Sequence, residues 1–418
     1  MKKKEKVLIY SDCYIYGGSE RLISFLLKNK LIQDEYNLFF LYRSHHLYRQ
    51  GIQNEYLLAE RQNFTGLFLF SNETLFFQIN SLNISVLIKK IIKLPIWLIF
   101  KTGFFDIYNI LIQYIFLINN KPDLIHINNG GYPGARTCRS FVFAAWLAGC
   151  KKIIFQVNNQ ATKPKTKFDK SFDKWLDSKV NYFITASKLA MRILSENRGF
   201  DEKKIIQIPN TINIQEISKN KKEVYNEYNL PDNAFLICEV AFLEYRKGQH
   251  LLIEAFDILR NSNPLIFENT YLLLVGSGID KHLLQNQAAR NKNLEKHIIF
   301  TGYKKNSVDY INACDIFVLP SVANEDMPLV ILTAMSLGKT IVATSFAGIN
   351  ELIENEVSGI LLSPKSETLP MELTKKIIQL NTSNNMNLGR KAKEKFNCDF
   401  SDDKYAQRII NLYKTIHV

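Results

Sequence analysis

Short runs of β-branched and apolar residues alternate with helix-patterned stretches from one end of this chain to the other. That alternation restricts the fold more than any other feature. In the first half the strand candidates are "KVLIYS", "NLFFLY", "LIHIN", "KIIFQV", "YFITAS" and "IIQIPN"; in the second they are "FLICEVAF", "TYLLLVGSG", "HIIFTGY", "DIFVLPS", "TIVATS" and "GILLS". Stretches such as "GQHLLIEAFDILRNS" separate most of them. Strands alternating with helices predict parallel sheets covered on both faces. Two sets of about six strands predict an α/β chain with two doubly wound domains, and 418 residues suffice for two such cores.

The domain boundary is expected in the polar, strand-poor stretch 210–233, read as a linker between a first domain, 1–209, and a second, 234–399. The closing stretch 400–418 is amphipathic, with Tyr405, Ile409, Ile410 and Leu412 in rough helical spacing, so it can pack back on the first domain. Open α/β sheets bind ligands beyond the carboxyl ends of their strands. The strand-to-helix junctions are therefore the places to look for chemistry.

Composition narrows the partners. The formal charge is +13, from 53 Lys and Arg against 40 Asp and Glu, which suits anionic ligands or surfaces. No zinc spacing or RNA-binding signature accompanies it, so nucleic acid is not the expected partner. The six cysteines contain no CxxC pair and read as free thiols of a reducing, cytoplasmic compartment. The start, "MKKKEKVLIYSD", has a four-residue apolar run that reads as a first strand and not a secretion signal. The longest apolar region spans 85–118. It is interrupted by Lys89, Lys90, Lys93 and Lys101 and is expected to break at Pro95, so a spanning helix is not expected. Two readings stand for it: a pair of core helices with basic outer faces, or a surface that dips into an anionic membrane.

Four junctions carry candidate chemistry. In "SDCYIYGGSERLISFLL" a strand gives way to a helix, and Gly17 and Gly18 let the backbone approach an anion at the helix N-terminus. In "VAFLEYRKGQHLLIEAF", Arg246 and Lys247 precede Gly248 and a helix start, an arrangement suited to a diphosphate. In "LLLVGSGID", Gly276 and Gly278 form a turn near the nucleotide, without the full GxGxxG spacing. In "LPSVANEDMPLVILTAMSLGK", Glu325 lies in the loop entering a helix that begins near Pro328 and ends at Gly338. A carboxylate there can accept from sugar hydroxyls while the backbone donates to others. Each of these also has an ordinary structural explanation: a turn, a solvated Arg-Lys pair, a helix-entry acid.

Taken in order, "RKG", "VGSG", "ACDIFVLPS", "EDMPLVIL", "AMSLGKTIVAT" and "GINELI", with "GGSERL" and "DLIHINNGGYPGA" in the first half, resemble the family-4 retaining glycosyltransferases. The resemblance covers nearly the whole chain. It implies a GT-B fold, two Rossmann-like domains facing a central cleft, with the donor held mostly by the second. It further implies that Lys247, helped by Arg246, faces the donor diphosphate and that Glu325 contacts the transferred sugar. Backbone N–H groups of Met327, Pro328's neighbours Leu329 and Val330, and the turn at Gly276 and Gly278 would serve sugar or phosphate oxygens. Gly17 and Gly18 would bring the first domain to the phosphates, with His126 near the reacting carbon. No metal or other cofactor is implied, and the substrate would be a UDP- or GDP-linked sugar.

Three positions depart from that family pattern. Phe242 stands where an arginine is common, Asn128 where a second histidine is common, and Thr333 where a glutamate typically grips the ribose diol. The expected function is a hexosyltransferase of surface-polysaccharide, lipopolysaccharide or lipid-linked glycan assembly, cytoplasmic or peripheral at the inner membrane face. The rivals are a non-catalytic GT-B subunit that binds sugar nucleotide or supports a partner transferase, and a GT-B sugar-nucleotide epimerase.

Overall fold

A computed structural model describes every residue except 1–3, 14–15, 57–60, 214–215, 324, 365–366, 384–385 and 417–418; the side chains of residues 73, 101 and 386, Lys101 among them, also lie outside it. The chain divides into two compact units: Met1–Pro209 with Tyr405–Val418, and Asn210–Lys404.

The first unit holds a seven-stranded sheet of β1 (Glu5–Ser11), β2 (Tyr36–Arg43), β3 (Phe64–Leu67), β4 (Leu124–Asn129), β5 (Ile153–Val157), β6 (Tyr182–Thr185) and β7 (Ile205–Gln207). The order is β3-β2-β1-β4-β5-β6-β7, and every pairing is parallel. The second holds β8 (Phe235–Val240), β9 (Thr270–Val275), β10 (Ile298–Gly302), β11 (Ile316–Leu319), β12 (Thr340–Thr344) and β13 (Ile360–Leu362), in the order β10-β9-β8-β11-β12-β13, also all parallel. Strand order reverses between β1 and β4 and between β8 and β11, the two places where such sheets open a crevice for ligands.

The central strands are buried on both faces, which explains their near-continuous apolar runs. β3, "FTGL", escaped the sequence reading because it is a half-exposed edge strand with no apolar run. The terminal helix Asp402–Thr415 places Tyr405, Ile409, Ile410 and Tyr413 in the first unit's core. Residues 210–233, expected as a linker, are built into the second unit instead. Their helix Lys221–Glu227 buries Val224 and Tyr225, and the Asp309 carboxylate accepts from Ser218 N and Oγ at 2.7 and 2.6 Å.

The apolar region forms two helices, Val86–Lys101 and Phe104–Asn120. Pro95 lies inside the first and does not end it; the break falls at Gly103, whose φ of +78° is left-handed. The core-helix reading holds in part: the second helix buries Leu117 and packs Ile110, Ile112, Tyr114 and Phe116 against the first unit's core. On the first helix the large apolar side chains are mostly exposed, and Lys89 and Lys93 bond Asn80, itself exposed.

Candidate active site

The second sheet's reversal point brings together the residues with the strongest claim to chemistry. After β8 the chain makes a single tight turn, Tyr245–Lys247, and then the helix Gln249–Ser262 begins. Gly248 joins them at φ +80°, and a Cβ there would sit 2.0 Å from the Pro320 carbonyl oxygen. Only glycine lets this turn rest against the end of β11. The consequence is that Lys247, nearly buried, meets the loop that follows β11.

That loop supplies Glu325. Lys247 Nζ forms a close ion pair with Glu325 Oε1, and Arg246 Nη1 lies 3.6 Å from the same oxygen. Ser321 Oγ donates to it at 3.1 Å, and Arg246 Nε donates to Glu244 Oε2 at 2.8 Å. Two cations thus converge on one carboxylate oxygen at the N-terminal end of a 14-residue helix. Such a cluster can hold an anion: an incoming oxyanion can take over the charge-assisted bonds that Glu325 now accepts.

A further acid lies behind this pair and was not singled out from sequence. Glu239, in β8, is buried, and desolvation pushes its carboxyl well above the usual range, with Glu325 adding to the rise and Lys247 and Gln249 opposing it. Gln249 Nε2 donates to Glu239 Oε1 at 2.9 Å and to the Phe242 carbonyl at 3.1 Å, fixing the loop between them. Glu239 Oε2 and Gln249 Oε1 are buried without a hydrogen-bond partner among the described residues, which fits a protonated, neutral Glu239. The signal in the sequence was a lone acid inside an otherwise apolar central strand.

The other expected residues fall as follows. Met327 is buried, and its carbonyl accepts from Asn210 Nδ2 at 3.0 Å. Pro328 is the residue before the helix Leu329–Ser336, and Leu329 and Val330 form its first turn. Thr333 is half-buried, and its hydroxyl donates to the Leu329 carbonyl one turn back, 3.0 Å away. Gly276 and Gly278 press against the loop after β8: Cβ atoms there would lie 1.9 Å from Ala241 O and 2.2 Å from Leu243 O. Their demonstrated role is this close packing of two loops. Phe242 is half exposed on the same loop.

In the first unit, Gly17 caps the helix Gly18–Lys28, and a Cβ on Gly18 would meet nothing within 4 Å. Neither residue uses a left-handed backbone, so open space beside the helix end, not unusual φ, is what the pair offers. Glu20, buried, closes that turn by accepting from Ser19 Oγ at 2.6 Å, Ser11 Oγ at 3.1 Å and Gly17 N at 3.4 Å; burial raises its pKa.

His126 requires correction. It is fully buried, with Nδ1 bonded to Tyr413 Oη at 2.7 Å and Nε2 to Gln156 Oε1 at 2.9 Å. Burial lowers its pKa to about 4. With both nitrogens engaged inside the core, His126 ties β4 to β5 and the terminal helix and does not reach a substrate. Asn128, two residues on at the end of β4, accepts from Asn158 Nδ2 at 2.7 Å. Also unforeseen was a buried network at the end of β1. Arg43 Nε donates to Asp12 Oδ1 at 2.5 Å, Thr137 bonds the other carboxylate oxygen, and Thr137 Oγ1 lies 2.7 Å from Tyr10 Oη.

Two parallel doubly wound sheets, with a cationic cluster and a loop acid at the reversal point of the second, define the class of GT-B transferases. Comparison with known proteins agrees. Residues 75–216 match the family described as Glycosyltransferase Family 4, and residues 220–395 match Glycosyl transferases group 1. The chain belongs to the family-4, GT-B glycosyltransferases.

Among relatives, an Escherichia coli UDP-Gal:alpha-D-GlcNAc-diphosphoundecaprenol alpha-1,3-galactosyltransferase is 27% identical over 271 residues, 62% of this chain and 66% of that protein. A glycosyltransferase of solved structure from Rickettsia africae superposes with a TM-score of 0.75 at 17% identity, covering 99% of this chain and 98% of that one. Anabaena HepE, solved in complex with UDP, gives a TM-score of 0.71 at 18% identity, covering 98% and 100%.

Proposed function

We propose that this chain moves a hexose-type sugar from a nucleotide-diphosphate donor to a glycan or lipid-linked acceptor, with retention of anomeric configuration, in surface-polysaccharide or lipid-linked glycan assembly at the cytoplasmic face of the membrane. The observation that carries the reading is the convergence of Lys247 and Arg246 on Glu325 Oε1 beside a helix N-terminus. The donor binds by replacing that internal pairing: its diphosphate takes the two cations, and Glu325 turns to the sugar. As the glycosidic bond breaks, charge builds on the departing phosphate, and Lys247 and Arg246 stabilise it where it forms. The same phosphate oxygen guides the incoming hydroxyl to the face it leaves, so the stereochemistry is kept without a protein nucleophile. The reading requires no metal or other cofactor. The E. coli relative's name supplies a UDP-linked donor and a diphosphoundecaprenol acceptor as the first pair to try.

Incubation of purified chain with UDP- and GDP-sugars and a lipid-linked acceptor, with the product's anomeric signal read by NMR, tests this. An α-donor should give an α-linked product, and Lys247→Ala should lower turnover by roughly two to three orders of magnitude. An inverted product, or near-normal turnover in the variant, would remove the mechanism. The alternative of a non-catalytic subunit has Phe242, Asn128 and Thr333 in its favour; it predicts nucleotide binding with no transfer in the same assay.

A further inference from the structure

The helices Val86–Lys101 and Phe104–Asn120 each expose a broad apolar arc. On the first, the stripe facing the unit is Lys89, Lys93, Ile96 and Phe100, spaced at i, i+4, i+7 and i+11. Lys89 and Lys93 donate to Asn80 at 2.8 and 2.5 Å, and Phe100 is buried. The opposite arc carries Leu87, Ile91, Leu94 and Leu98, with Leu87 68% and Ile91 61% exposed. The second helix holds polar groups on its inward side, beside the buried Leu117. Asp106 pairs with Arg136, Asn109 exchanges two 2.9 Å bonds with the Phe70 backbone, and Gln113 bonds Thr137 O and Ser140 Oγ. Phe104, Ile107, Leu111 and Ile115 look outward, Ile107 being 68% exposed.

A helix of a water-soluble surface has the reverse polarity. The covering phase must also be fluid. Val86, Leu87 and Ile88 are all exposed, as are Trp97, Leu98 and Ile99, and three consecutive residues point in directions about 100° apart. A protein partner covers one stripe; acyl chains can cover all three directions. The flank is charge-complementary to lipid. The helix Lys167–Lys179 and the segment before it expose Lys163, Lys165, Lys167 and Lys170 beside Phe168, which is 77% exposed. The ion pairs Asp106–Arg136 and Arg139–Asp169, the latter at 3.8 Å, bring the first turns of three helices to one edge of the unit.

No single helix among the described residues is long and apolar enough to cross a bilayer; the two together would be, but they are bent by 58° at their junction. The second is also pinned along its polar stripe, which prevents threading. We propose that this helix pair is a monotopic insert, lying in the acyl-chain boundary of one leaflet, with the Lys163–Lys170 strip against anionic headgroups. Attachment is then chiefly apolar, because the exposed apolar side chains of the insert far outnumber Lys90, its one exposed lysine among the described side chains. The insert stands independently of the transfer reading. Only its corollary, an acceptor that itself resides in the lipid, rests on that reading.

Flotation of the full chain with vesicles tests the insert without any activity assay. The chain should float with neutral phosphatidylcholine vesicles and remain bound at about 1 M NaCl, where surface electrostatics are screened within about 3 Å. Adding phosphatidylglycerol should tighten binding at low salt only. Ile91→Glu with Leu98→Glu should lower partitioning at least about tenfold, since a charge in the acyl region is costly. The same variant should keep its melting temperature, because both side chains face away from the core. Lys165→Glu with Lys170→Glu should remove only the anionic-lipid increment. Failure to float with neutral vesicles, binding that about 1 M salt abolishes, or a lipid-free dimer that the Ile91/Leu98 variant splits would each overturn the proposal.

Discussion

At the scale of single residues, the donor-side cluster was legible because its parts are local motifs. Arg246, Lys247 and Gly248 are adjacent, and Glu325 enters the one helix that begins after a Pro in that region. Glu239 stood out only as a lone acid in an apolar strand; its surroundings were not legible, because nothing next to it in sequence reveals that Gln249 and Lys247 lie against it. Its protonation gives a prediction. A carboxyl whose folded pKa is raised contributes stability that is complete below its unfolded pKa and is lost as pH rises toward the folded value. Glu239→Gln, which holds the neutral shape at every pH, should therefore melt higher than wild type at pH about 8.5 and lose that advantage near pH 4.5. Equal melting differences at both pH values would mean Glu239 is ionised in the fold. Thr333 gives a second. Its hydroxyl donates to Leu329 O, so it has no proton left for a ribose oxygen and can act there only as an acceptor. Thr333→Glu should tighten nucleotide binding about tenfold, as an added charge-assisted contact does. Calorimetry with no gain would show that position 333 does not face the ribose.

At the scale of elements, all twelve expected strands formed, since each is an apolar run, buried in the sheet centres and half-buried at edges such as β7 and β10, and β3 was lost because an edge strand need not be apolar. Periodicity gave the apolar region its helices but not which side faces in; that is set by Asn80, Phe70 and Arg136, which lie elsewhere in sequence. His126 was misread for the same kind of reason. "LIHIN" places it near a strand end, but Tyr413, 287 residues later, covers it. The tie is testable. Burial holds His126 neutral with a pKa of about 4, below the ordinary value, so its stability is present at neutral pH and is lost as pH falls toward 4. His126→Gln should be less stable than wild type at pH 7. The gap should close by about 3 kcal/mol by pH about 4 in urea titrations. A gap independent of pH would mean the imidazole is solvated.

At the scale of the whole molecule, two doubly wound units were legible from alternation alone, while the assignment of 210–233 was not. That stretch is polar because it wraps the second unit's surface through Asp309 and not because it is free chain. The return of the terminal helix to the first unit was readable from the spacing of Tyr405, Ile409 and Ile410. In the proposed mechanism, Lys247 and Arg246 exchange a carboxylate for a diphosphate. A crystal structure with a nucleoside diphosphate bound measures that directly. Phosphate oxygens are predicted within about 3 Å of Lys247 Nζ and the Arg246 guanidinium, with Glu325 no longer paired to the lysine. A nucleotide lodged elsewhere, with the Lys247–Glu325 pair intact, would contradict it.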